Sequence, residues 1–83
     1  MDRILFNIGP IPAWAIATRT GHVAKGDGGE WLPQSVDVGS GRYLSAVYAV
    51  DPTRRGVCLY SPVWTCPDAA LYAAQKAAQQ MAA

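Results

Sequence analysis

Hydrophobic and polar residues alternate along most of this chain, and the period changes only near its C-terminus. Ile4, Phe6 and Ile8 alternate with Leu5 and Asn7, the two-residue period of a strand with one buried face. Gly9-Pro10-Ile11-Pro12 interrupts it. Ala13 to Arg19 resumes the alternation, with Trp14, Ile16 and Thr18 on one face. Lys25-Gly26-Asp27-Gly28-Gly29-Glu30 is a turn by composition, and Asp27-Gly28 suits a type I′ hairpin, whose two central residues both need positive φ. Trp31 to Val38 follows, with Pro33 pushing its start towards an edge position.

Gly39-Ser40-Gly41 is the next turn. Arg42 to Val50 is the clearest strand: Leu44, Ala46, Tyr48 and Val50 share one face, and Tyr43, Ser45, Val47 and Ala49 the other. Asp51-Pro52-Thr53-Arg54-Arg55-Gly56 turns the chain again, and Val57 to Tyr60 continues as strand. Turns this short join antiparallel strands; parallel strands would need helical crossovers.

From Pro67 onwards the period becomes helical. Pro is favoured in the first turn, where its missing N–H costs nothing. Thr65 with Asp68 three residues later approximates a capping box, and Asp68 suits the positive end of the helix dipole. Leu71, Ala74, Ala78 and Met81 fall on one stripe; Asp68, Tyr72, Gln75, Lys76 and Gln79 fall on the other. The expected fold is therefore α+β: one domain over residues 1–83, strand-rich over 1–64, with a helix over 66–82. Four to five antiparallel strands form a small sheet, and the C-terminal helix packs on one face.

Composition narrows the function classes. Of 83 residues, 51% are hydrophobic and the net charge is +1. That apolar content supports a folded domain rather than disorder. A nucleic-acid binder depends on a clear basic excess, and this chain lacks one, as it lacks the acidity of a DNA mimic. Low net charge favours association. Three Trp, four Tyr and one Phe exceed what so small an interior readily holds, so a homodimer is expected. The start, Met1-Asp2-Arg3 followed by Ile4-Leu5-Phe6, has no cleavage-site pattern, and Ile11 to Ala17 is too short to span a bilayer. A cytoplasmic protein with no membrane contact is expected.

Candidate chemistry is sparse. The single histidine, His22, sits beside a turn, and with Cys58 and Cys66 it forms no zinc spacing. No two carboxylates pair as a catalytic couple. Gly26-Asp27-Gly28-Gly29 lacks the Lys-Ser/Thr of a phosphate loop and leads into a strand. No catalytic, metal or cofactor residue is assigned, and no enzyme activity is expected. Cys58 lies mid-strand and reads as a small buried hydrophobe. Cys66 precedes the helix, where the dipole favours a thiolate. Three readings of Cys66 stand: an inert residue, a thiol linking two copies, or a bridge to Cys58. Arg, Tyr and Trp are the types most enriched at binding hot spots. The candidate partner contacts are Arg42, Arg54, Arg55, Tyr43, Tyr60 and Trp31. Trp31 and Trp64 flank loops and are expected to be more exposed than Trp14. Cys66 and Trp64 are the candidate dimer contact.

No motif places the chain in a family. In overall format it resembles the small anti-CRISPR proteins encoded by phages: a compact antiparallel sheet, one helix, no enzyme motif and an alanine-rich composition. Those inhibitors are mutually dissimilar in sequence, so the resemblance carries over no functional residue. It implies a mode of action in the bacterial host cytoplasm. The chain would bind a subunit of a type I CRISPR effector (Cascade) and block target DNA binding or nuclease recruitment. Two other readings are a phage structural or accessory assembly protein and a weak single-stranded nucleic-acid-binding module that uses Arg42, Arg54, Arg55 and aromatics.

Overall fold

A computed structural model of the chain describes residues 8–50 and 56–83, the side chain of Ser61 excepted. The strand expected over Ile4–Ile8 and the turn at 51–55 thus lie mostly outside the described residues. Among the described residues six strands and one helix follow in order: β1 (Ile8–Gly9), β2 (Ile16–Thr20), β3 (Ala24–Gly26), β4 (Gly29–Gly39), β5 (Arg42–Ala49), β6 (Val57–Trp64) and α1 (Pro67–Ala82). The strands form one antiparallel sheet in the order β1-β6-β5-β4-β2, with β3 also pairing to β4. The α+β class and the C-terminal helix on one face are as the pattern predicts. The strand count exceeds the expected four to five because β4 is long enough to pair with both β2 and β3 along one side.

That shared side explains Pro33. The expectation of an edge position is corrected, since β4 lies between β5 and the β2/β3 pair. Pro33 sits where β2 pairing (Gln34 to Asp37) has ended and β3 pairing (Gly29 to Trp31) has not begun. Its carbonyl accepts the Gly21 N–H at 3.0 Å on that side, so its missing N–H falls in the gap and no ladder bond is lost.

The register fixes two faces. Trp31, Pro33 and Ser35 of β4 lie opposite Ala49, Val47 and Ser45 of β5, and this is the face α1 covers. Trp31, Val47 and Leu59 pack there against Ala77, Ala78 and Ala82. On the reverse face Val36, Leu44, Ala46 and Cys58 form a second cluster, with Ile11 and Ala15 packed over it. The alternation expected for Arg42 to Val50 holds over Arg42–Ala49, with Val50 exposed just beyond the strand, but both faces are in use. The segment before β2 covers part of the side that α1 leaves free.

The buried stripe of α1 is rotated from the expected one. Ala70, Ala74, Ala77, Ala78 and Ala82 are buried, whereas Leu71 and Met81 are only half-buried. An all-alanine stripe lets the helix axis approach the sheet closely, and the larger side chains then sit at the flanks of the contact. The approach is also set from below. Ser35 and Ser45, opposite each other in the register, are both buried under the helix. Ser45 Oγ donates to the carbonyl of Ala70 at 2.6 Å. Ser35 Oγ meets Thr18 Oγ1 at 2.8 Å. Each buried hydroxyl thus has a partner, as burial requires.

The helix start differs from the capping-box expectation. The N-cap is Cys66, extended at φ −131° and ψ 127°, and no side chain caps the helix. A residue before Pro is held out of the helical region, so Pro67 at the first position makes Cys66 the cap. Asp68 turns instead to Arg19, whose Nε lies 3.0 Å from Oδ1. At the other end, Gly28 N–H donates to the Ala82 carbonyl at 2.8 Å, so the β3–β4 hairpin closes the helix terminus. That hairpin is not type I′: neither Asp27 nor Gly28 has positive φ, and Gly29 after them does, at 106°. This matches a type I turn followed by a left-handed residue. In the β4–β5 turn, Gly39, Ser40 and Gly41 all have positive φ.

Candidate functional site

The site is assembled on the reverse face of the sheet, at the end carrying the β4–β5 turn. It begins with Gly9-Pro10-Ile11-Pro12, whose prolines cannot extend a ladder and so lead the chain across the face. Ala15 N–H bonds the Pro12 carbonyl at 3.1 Å, closing a tight turn with Trp14 at its tip. Trp14 therefore never enters a strand; β2 starts at Ile16, and Trp14 is 69% exposed. On the other flank, β6 carries extra residues. Its pairing with β5 runs Leu59 opposite Ser45 and then Trp64 opposite Tyr43, so residues 60–63 bulge from the ladder. The bulge turns Tyr60 and Val63 outward, 42% and 50% exposed.

Between these flanks lies an open groove of about 390 Å³. Pro12 and Trp14 form one wall, Tyr60 and Val63 contribute from β6, and Leu44 and Val38 lie on the sheet side. Gly39, Ser40 and Arg42 of the hairpin end complete the described lining. The Tyr60 hydroxyl donates to the Pro10 carbonyl, and its ring lies against Gly9. That bond ties the bulge to the crossing segment and fixes the ring. Arg42, exposed at the start of β5, is the one cationic side chain among the described lining residues. Asp37 belongs to the same hairpin, but it stands opposite Tyr43 on the helix-side parity and accepts Gly39 N–H at 2.7 Å.

Of the residues singled out from the sequence, Arg42 and Tyr60 come together here. Tyr43 is half-buried on the helix side. Arg54 and Arg55 lie outside the described residues. The expected exposure of the tryptophans is reversed. Trp31 is 7% exposed and its Nε1–H donates to Gly28 O at 3.0 Å, making it a core residue that braces the β3–β4 hairpin. Trp14, read from alternation as a strand residue, is the exposed one. The proline pair just before it is the signal that it lies outside the sheet.

Cys66 is exposed and Cys58 buried, and both are free thiols, so no bridge joins them. Burial pushes the Cys58 thiol up to about 11. Burial and then the neighbouring Cys58 raise the Tyr48 phenol above its ordinary value. Trp64 is half-buried, and its Nε1 is buried with no hydrogen-bond partner among the described residues. His22 is exposed in the link between β2 and β3, beside Gln75 and Gln79 of α1. Among the described residues no three His, Cys, Asp or Glu side chains come together, and no helix is long and apolar enough to cross a membrane. No family model, curated protein or solved structure matches the chain.

Proposed function

We propose that this chain is a non-enzymatic protein-binding domain that inhibits a bacterial defence complex, namely a type I CRISPR effector, by occupying a surface that target DNA or the nuclease needs. The observation that supports it is the groove on the reverse face. Trp14, Tyr60, Val63 and Arg42 are brought there from three separate parts of the chain and left open to solvent. Exposed apolar clusters with a polar rim mark partner sites, and Trp, Tyr and Arg carry most hot-spot energy. The choice of target rests on the format resemblance to anti-CRISPR proteins. In this reading the protein acts in the host cytoplasm as a homodimer, with the Cys66–Trp64 end as the contact between copies. Plaque or plasmid interference assays in hosts carrying different type I subtypes test the inhibitor reading. It expects the chain to restore infection in at least one subtype; full interference in all of them contradicts it.

A further inference from the structure

We infer that the reverse-face groove recognises an apolar side chain flanked by a carboxylate, displayed on a surface segment of the partner protein. This deepens the binding-domain reading above and rests on it. The lining is apolar on its walls and sheet side, through Trp14, Leu44 and Val63, and cationic at its rim through Arg42. The volume of about 390 Å³ is at the low end of the ~300–1,000 Å³ typical of ligand pockets. The groove is also open, so it suits a protruding side chain better than an enclosed small molecule.

Charge decides the flanking group. Among the described residues the one ion pair is Arg19 with Asp68, on α1's side of the sheet. Arg42 has no carboxylate among the described groove residues, and Asp37 in its own hairpin is engaged with Gly39 N–H. The Tyr60 hydroxyl is engaged with Pro10. The guanidinium is therefore the charged donor the rim offers, and its planar fork fits a carboxylate with two parallel hydrogen bonds. The same charge argues against a second copy as the occupant. An isologous contact sets a patch against itself, and among its described residues this patch holds a cation with no anion to meet it.

The test uses the full chain and two synthetic peptides, one with a tryptophan between two glutamates and a twin with lysines in their place. Binding is followed by NMR at the Trp14 indole N–H and the Arg42 side chain. The acidic peptide is expected to shift both signals and to bind about two- to fivefold tighter than its twin, as an exposed ion pair supplies. Arg42→Glu, at an exposed position, is expected to leave the thermal midpoint unchanged and invert the preference. Equal binding of both peptides overturns the inference. So does an unchanged preference in Arg42→Glu, or no shift at Trp14 at millimolar peptide. The outcomes separate the two claims: infection restored without a peptide preference removes this inference alone. A peptide preference without restored infection in any host removes the inhibitor reading alone.

Discussion

The Ser45 hydroxyl reaches across from the sheet to the main-chain carbonyl of Ala70, 2.6 Å away and buried. A residue with a side chain that small is what permits an all-alanine helix face to settle on β5. Ser45→Ala removes one hydrogen bond but leaves Ala70 within its helix, so a loss of about 1 kcal/mol is expected. Ser45→Leu forces the helix outward, and a loss of about 1–3 kcal/mol or more is expected. Urea unfolding of the two variants checks the order; equal losses would mean that the close approach is not the limiting feature.

Glycine is needed in the β3–β4 hairpin for space. A Cβ at Gly26 would overlap the Ala82 carbonyl, and one at Gly28 the Met81 carbonyl. Both obstacles are backbone. At Gly21 the nearest atom to a Cβ is Nε2 of Gln75, at 2.8 Å, on a side chain that can move. Gly26→Ala is therefore expected to lower the thermal midpoint markedly more than Gly21→Ala. Loss of amide protection in the last turn of α1 should accompany it.

The two thiols should behave oppositely. One equivalent of a thiol reagent is expected to react quickly with native protein at Cys66, and the second, at Cys58, only in denaturant. The pH dependence follows from the Cys58 value of about 11 against an ordinary 9.0. A folded-state value above the unfolded one means that the stabilisation is complete below pH 9 and is lost as pH rises from 9 towards 11. Cys58→Ala should flatten the fall in stability across that window. An equally steep fall in the variant would show that other groups cause it.

Association between copies is expected through Cys66 and Trp64. Light scattering at micromolar concentration should give a dimer mass in reducing buffer, and non-reducing electrophoresis a crosslinked band that Cys66→Ser abolishes. A monomer mass in both reducing and oxidising buffer contradicts the homodimer.

How far the sequence carries the structure depends on whether a signal is local. The helix start is written in Pro67, and the faces of β5 in the alternation from Tyr43 to Ala49, because both follow from backbone chemistry and period. The alanine stripe shifted towards Ala70, Ala77 and Ala82 because the sheet, with its serines, decides which side of the helix can come closest. Asp68 left its expected capping role for Arg19, a residue 49 positions away. The groove was half legible: Arg42 and Tyr60 stand out by type. Trp14 and Trp31 exchanged places because exposure depends on which segment crosses the reverse face and which hairpin closes the helix end. Alternation within a single segment does not record either of those contacts.

The Trp14–Val63 groove is the surface proposed to bind a protein target. The most direct measurement is the affinity of the purified chain for type I effector complexes, those of any host in which the interference assay shows suppression first among them. Trp14→Ala and Val63→Glu change exposed residues and should leave the fold intact by circular dichroism. Hot-spot truncations cost about 2 kcal/mol or more each, about 30-fold in affinity. The double variant is therefore expected to bind at least about 100-fold more weakly and to lose its protective effect. A folded double variant that binds and protects as well as the natural chain would contradict the claim.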